Sequence, residues 1–139
     1  MEAFDVVDIS QVLTRYGQIV DTRSWDDLDQ VFTDDAVFDT SDFGQGRLEG
    51  LGAIRTMFAG SHPPYSVNIV NVVVSDGEEA GTARAYSKNL GLLPEGRIGS
   101  ASYDDELVKT DAGWRVARRV ARARREDHDL RPAGGGNAS

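Results

Sequence analysis

The sequence predicts an α+β fold in which three N-terminal helices pack into a curved antiparallel sheet. Apolar residues recur at helical spacing in three segments of the first 59 residues. After the break at residues 60–64, where two prolines end any helix, the pattern becomes strand-like and rich in β-branched residues. Short turn signals separate the later strands, which is typical of an antiparallel meander with helices on one of its faces.

The predicted helices occupy the N-terminal half of the chain. A first helix is predicted over residues 6–22, with Asp5 as its N-cap. The run that begins Ser24-Trp-Asp-Asp resembles a capping box and predicts a second helix ending near Thr33. A third helix is predicted over residues 51–59.

The predicted strands follow from alternation and from turn residues. A short strand is expected at residues 36–39, followed by a glycine-rich loop at 41–50. Four longer strands are expected at residues 67–74, 80–93, 97–109 and 114–124. One domain over residues 1–126 is therefore predicted, and residues 127–139 are expected to form a disordered tail because they carry no apolar anchor.

Composition narrows the classes of function. The 139 residues contain no cysteine and carry a formal net charge of -8, which disfavours nucleic acid as a partner. The arginine-rich run at residues 115–125 is interpreted as a solvated strand face balanced by acidic neighbours. With an acidic N-terminus and no long apolar run, we expect a cytoplasmic protein with no membrane segment. Two well-separated histidines predict no metal site.

Several short motifs occur along the chain in a fixed order that can be compared with known families. They are Tyr16-Gly-Gln-Ile-Val-Asp21, the run at 24–28, the run at 31–38, Gly50-Leu-Gly-Ala-Ile54, the run at 71–77, Tyr103-Asp-Asp-Glu-Leu107 and Gly113-Trp-Arg-Val116. In this order they resemble the SnoaL-like branch of the NTF2-like superfamily over about residues 5–125. The resemblance implies a cone-shaped fold with a pocket between sheet and helices. Its members include scytalone dehydratase, ketosteroid isomerase and polyketide cyclases, which need no cofactor, and the exposed sheet face often forms a homodimer interface.

The resemblance also suggests roles for particular residues. In the dehydratase-like relatives, an aspartate matching Asp21 orients a histidine on the first long strand, and a tyrosine matching Tyr16 binds a substrate oxygen. The histidine should fall near Val67 or Asn68, but neither position holds one. Asn68 remains as a hydrogen-bonding side chain there, whereas His62, in the loop just before, is either a substitute base or an exposed loop histidine.

Without that histidine, a carboxylate is a candidate base. A carboxylate in an apolar cup has its pKa raised towards a useful value. The candidates are Asp21, Asp39 at the end of the short strand, and Asp105. Tyr103 and Asp105 alternate in phase on one strand, so both point into the pocket, or Asp105 is instead the buried partner of an arginine on the last strand.

Two further residues complete the predicted binding surface. Asn89 shares a strand face with small residues and should look inward, where it can bind a ligand oxygen or satisfy a backbone group. Phe38 is expected to lie in the core or beside the ligand. Two functions remain open from the sequence: a cofactor-independent lyase or isomerase that acts on a small, mostly apolar oxygenated molecule, or a binding module that has lost its histidine–aspartate dyad.

Overall fold

The structure is a computed structural model that describes residues 1–125. The first half contains α1 (Ala3–Thr22), a 3₁₀ helix (Trp25–Gln30), β1 (Phe32–Thr40), β2 (Gly46–Glu49) and α2 (Leu51–Ala59). The second half contains β3 (Ser66–Asp76), β4 (Thr82–Leu92), β5 (Ile98–Thr110) and β6 (Gly113–Ala123). The predicted domain boundary at residue 126 and the predicted tail at residues 127–139 lie outside the described residues.

The six strands form one sheet in the order β2-β1-β6-β5-β4-β3. The four long strands form the predicted antiparallel meander. However, β1 joins this meander as a parallel neighbour of β6, so the sheet is not antiparallel throughout. A register shift between Val70 and Val73 interrupts β3, and Asn71 takes a left-handed φ of 55° there. Such a bulge bends the strand, which helps the sheet to curve around α1.

The prediction of three α-helices is not confirmed, because the second helix is only a six-residue 3₁₀ helix. Its sole buried residue is Leu28, so an α-helix there would have little apolar surface to bury. The next residues are drawn into the sheet instead: the Val31 carbonyl accepts a 2.7 Å bond from the Val116 amide. Because this segment pairs with β6, β1 is longer than the strand predicted at residues 36–39. β1 also pairs with β2, which lies within the loop predicted at residues 41–50.

Helix α1 lies across the concave face of the sheet, where it packs on β3 and β6. It begins three residues before the predicted start, with Glu2 as its N-cap and Asp5 completing a capping box. Gly17 allows the close approach to β3, because a Cβ atom at this position would lie 3.1 Å from the Val67 carbonyl oxygen. The buried side chains of α1, α2 and the sheet form one continuous core.

Candidate functional site

A cavity of about 340 Å³ opens at one end of α1, between the helix and the sheet. Residues of α1, α2 and the strands β1, β3, β4, β5 and β6 form its walls, and they are mainly aromatic, apolar or small. Four consecutive residues between α2 and β3 (Ser61, His62, Pro63 and Pro64) close one side. We call residues 60–65 the mouth loop. The cavity lies at the lower end of the roughly 300–1,000 Å³ range of small-molecule sites.

A hydrogen-bonded pair of tyrosines gives the cavity a polar wall. The hydroxyl oxygens of Tyr16 and Tyr103 lie 3.2 Å apart, and either hydroxyl can be the donor. The Asn89 amide nitrogen donates to the Tyr103 oxygen at 2.9 Å. All three residues line the cavity, as predicted for inward-facing positions. Since one hydroxyl proton lies between the tyrosines, the other is left to donate to a ligand oxygen.

Burial keeps the Tyr16 hydroxyl protonated. Desolvation raises the pKa of Tyr16 well above the usual tyrosine range, and the nearby Arg119 charge lowers it only in part. Tyr16 therefore remains a neutral donor throughout the physiological range. The Asn89 carbonyl oxygen is buried and makes no hydrogen bond in the described part of the chain, so the wall carries an acceptor as well.

Against the rings of both tyrosines lies a buried guanidinium. The Arg119 Cζ atom is 4.0 Å from the Tyr103 ring centroid and 4.4 Å from that of Tyr16. Its Nε and Nη2 atoms donate to the two carboxylate oxygens of Asp105 at 2.7 and 2.9 Å, and both side chains are fully buried. Burial raises the pKa of Asp105, and the Arg119 charge partly counters that shift. Burial alone would lower the pKa of Arg119. The charge of Asp105 and its hydrogen bonds to the guanidinium have the larger effect, so the pKa of Arg119 is raised.

This arrangement decides between the two alternatives for Asp105: it is the partner of an arginine on the last strand, and it does not line the cavity. The assignment of the whole run 115–125 to a solvated face is wrong for Arg119. A β-bulge explains the error, since Val116 and Arg118 pair with the consecutive residues 107 and 106 of β5. The extra residue, Ala117, shifts the alternation and turns Arg119 inward.

Asp21 lies near the predicted histidine position but contacts main chain there. Its Oδ1 atom accepts a 2.7 Å hydrogen bond from the backbone N–H of Val67. Val67 is buried and its side chain lines the cavity where the resemblance places the relatives' histidine. The end of α1 and the start of β3 therefore meet as the resemblance implies, but Val67 occupies the position where the relatives have a histidine.

Two predicted residues point away from the cavity. Asp39 alternates with the cavity-lining Phe38 and so lies on the other face of β1. Hydrogen bonds from the side chain and backbone of Ser41 lower the pKa of Asp39, which makes it a weaker base still. Asn68 is exposed and donates to Ser66 and to the Leu90 carbonyl, so it is not placed to bind a ligand oxygen in the cavity.

His62 and Phe38 do line the cavity, and His62 is at the same time an exposed loop residue. Phe38 belongs to an aromatic group with Tyr16, Phe58 and Tyr103, whose ring centroids lie 5.7–6.5 Å apart where they contact. Sequence reasoning missed other lining residues, including Phe43 in the segment taken for a plain loop. A lone phenylalanine between Asp42 and Gly44 offered no periodicity that would have assigned it to the wall.

No carboxylate lines this cavity within residues 1–125. Its titratable groups are Tyr16, Tyr103 and His62, and of these only histidine acts readily as a base near neutral pH. The same part of the chain contains no cluster of three or more metal-ligating side chains. Nor is any helix within it long and apolar enough to cross a membrane.

The fold agrees with the comparisons to known proteins. The SnoaL-like domain family matches residues 1–120, and the chain belongs to this family. The uncharacterized protein Rv2910c of Mycobacterium tuberculosis is 32% identical over 125 residues, which cover 86% of this chain and 85% of that protein.

Solved structures show the same fold. A protein of Novosphingobium aromaticivorans, provisionally named an aromatic ring hydroxylase, is 30% identical with a TM-score of 0.68, over 88% of this chain and 91% of that one. An NTF2-like protein with a cystatin-like fold from the same organism is 21% identical with a TM-score of 0.70, over 91% of this chain and 84% of that one. The chain therefore has the NTF2-like, cystatin-like α+β fold.

Proposed function

We propose that the chain is a cofactor-independent enzyme of the lyase or isomerase type, which moves a proton next to a carbonyl group of a small, mostly apolar molecule. One observation carries this proposal. Within residues 1–125, the cavity combines a neutral tyrosine donor for an oxygen with one side chain suited to act as a base, His62. The aromatic walls favour a substrate that contains a ring.

The proposed step begins when the carbonyl oxygen accepts a hydrogen bond from the tyrosine pair. His62, in its neutral form, removes a proton from the neighbouring carbon. The electron pair of that C–H bond moves to form a carbon–carbon double bond, and the carbonyl π electrons move onto oxygen. The free hydroxyl of the Tyr16–Tyr103 pair stabilises this enolate because that donor is already in place. Return of the proton at another carbon, or loss of a leaving group, would then give isomerisation or elimination.

The base differs from the carboxylates considered from the sequence. Asp39 and Asp105 are excluded by position, and Asp21 is engaged with the Val67 amide. His62 lies in the mouth loop, at the rim of the same cavity as the tyrosines. A rim base and an interior oxygen site suit a substrate whose carbonyl enters first.

Deuterium uptake into β-tetralone, a two-ring ketone with acidic C–H groups beside its carbonyl, tests this proposal in heavy water. We expect the wild type to accelerate uptake above buffer, His62→Gln to abolish the acceleration, and Tyr103→Phe to reduce it about ten- to a thousandfold. Mass spectrometry of the recovered ketone gives the rates. His128→Gln, at the other histidine of the sequence and outside the described residues, is the matched control and should keep the full rate.

A second function is favoured by one specific observation, the valine at the position where the relatives' histidine is expected. In this alternative the chain binds the ketone in the same cavity but leaves its protons in place. Saturable binding, measured by calorimetry, together with deuterium uptake equal to that of buffer would establish the binding module and contradict the enzyme. Uptake that persists in His62→Gln would instead contradict the assignment of the base.

A further inference from the structure

The mouth loop is held against α1 by two charged side chains at the end of that helix. The Asp21 carboxylate accepts the Val67 amide at 2.7 Å, just beyond the loop. The Arg23 guanidinium donates to the Pro63 carbonyl at 3.4 Å and to the Pro64 carbonyl at 3.4 and 3.5 Å. We call Asp21 and Arg23 the clamp.

The clamp is anchored on its own helix. Arg23 ends α1 in a left-handed conformation, with φ 58°, and its Nη1 atom also donates to the Val20 carbonyl at 2.6 Å. Its side chain is thereby directed from the helix end towards the loop. The acceptor in the Asp21 bond is a side-chain carboxylate, and hydrogen bonds to carboxylates are roughly twice as strong as those between neutral groups.

The segment that the clamp holds is stiff. Pro63 and Pro64 fix two successive φ angles and have no N–H groups to bond elsewhere. Pro64 also packs against Gly91 of β4, where a Cβ atom would lie 3.0 Å from the Pro64 Cγ atom. Because Arg23 and Gly91 both contact this stiff segment, it restrains the backbone of the residue before it, His62.

We infer that Asp21 and Arg23 are positioning residues that set where His62 stands on the cavity rim. The inference rests on the proposed function only for the consequence to catalysis, since the contacts themselves belong to the fold. Asp21 thus orients a histidine through the backbone of the loop, rather than through a hydrogen bond to its imidazole.

The clamp can be tested first by two measurements that need no substrate, the exchange rate of the Val67 amide and the imidazole resonances of His62. In Asp21→Ala, we expect the Val67 amide to exchange with heavy water at least about tenfold faster, with core strands unchanged. The imidazole resonances of His62 should shift or broaden. Asp21→Asn keeps an acceptor oxygen and should show smaller effects of both kinds. Asp8→Ala, at an exposed aspartate of the same helix, is the matched control and should show neither effect.

Deuterium uptake into β-tetralone then tests the consequence. Asp21→Ala and Arg23→Gln should lower the maximal rate about tenfold or more while the KM changes little, because the tyrosine end of the cavity is intact. An unchanged Val67 exchange rate would overturn the clamp. Faster exchange with unchanged His62 resonances would overturn its positioning role. A wild type without uptake would contradict the proposed function alone, because exchange and resonances still report on the clamp.

Discussion

Removing either partner of the buried Asp105–Arg119 pair should destabilise the fold far more than removing both. Arg119→Met leaves a carboxylate with no counter-charge in a fully buried site, and Asp105→Leu does the same to the guanidinium. The double variant replaces both charges with apolar side chains and leaves neither group unpaired. We therefore expect strong non-additivity between the two substitutions.

The magnitudes follow from the geometry. Both side chains are 0% exposed and the pair is bidentate, so each single substitution should cost about 3–5 kcal/mol of unfolding free energy. The double variant should regain most of this lost unfolding free energy, because it leaves neither charge unpaired. It still loses the contacts of Arg119 with the two tyrosine rings, worth about 0.5–2 kcal/mol. Its net cost should therefore lie between about 0 and 2 kcal/mol.

Urea denaturation followed by circular dichroism measures these free energies, with the slope checked for two-state behaviour. Arg118→Met is the matched control, because Arg118 and Glu106 form a longer 3.7 Å pair, 37% and 59% exposed, on the neighbouring positions of the same strands. It should cost no more than about 1 kcal/mol. Single substitutions at the buried pair that cost as little as this control, or a double variant whose cost equals the sum, would refute the reasoning.

Three further predictions concern ionisable groups and the cavity wall. Hydrogen bonds from Trp114 and Lys109 lower the pKa of Asp5. The stabilising effect of the Asp5 carboxylate is therefore complete above the ordinary aspartate pKa and is lost as the pH falls through the lowered value. Asp5→Asn should lower Tm near neutral pH but not in strong acid. An equal drop in Tm at both would contradict this. Tyr16 should stay unionised until alkaline unfolding, so absorbance titrations of wild type and Tyr16→Phe should coincide before the transition. Val67→His sets an imidazole on the wall beside Asp21 and should increase deuterium uptake into β-tetralone, whereas unchanged uptake would argue against a productive geometry there.

The sequence predicted the meander and α1 well because their signals are local and regular. Inward-facing positions on β4, such as Ser87 and Asn89, follow a simple period of two and were assigned correctly. The 3₁₀ helix and β1 were misjudged, because the pairing of β1 with β6 joins segments more than 80 residues apart. Local propensity contains no information about such a pairing.

The site was predicted only in part, and for specific physical reasons. Tyr16, Tyr103, Asn89 and Phe38 lie where the alternation and the resemblance indicate. Arg119 was missed because a one-residue bulge reverses the face of every side chain after it. A bulge produces no residue pattern that can be told apart from an ordinary solvent-facing strand.

The contact of a substrate oxygen with the tyrosine pair can be measured directly from the carbonyl stretch of bound, ¹³C-labelled β-tetralone. Hydrogen bonding from Tyr16 or Tyr103 should lower this frequency in the wild-type complex relative to the ketone in an apolar solvent. Tyr103→Phe and Tyr16→Phe should each return part of the shift. A bound ketone with an unshifted frequency, or with the same shift in both variants, would contradict the assignment of the cavity as a carbonyl-activating site.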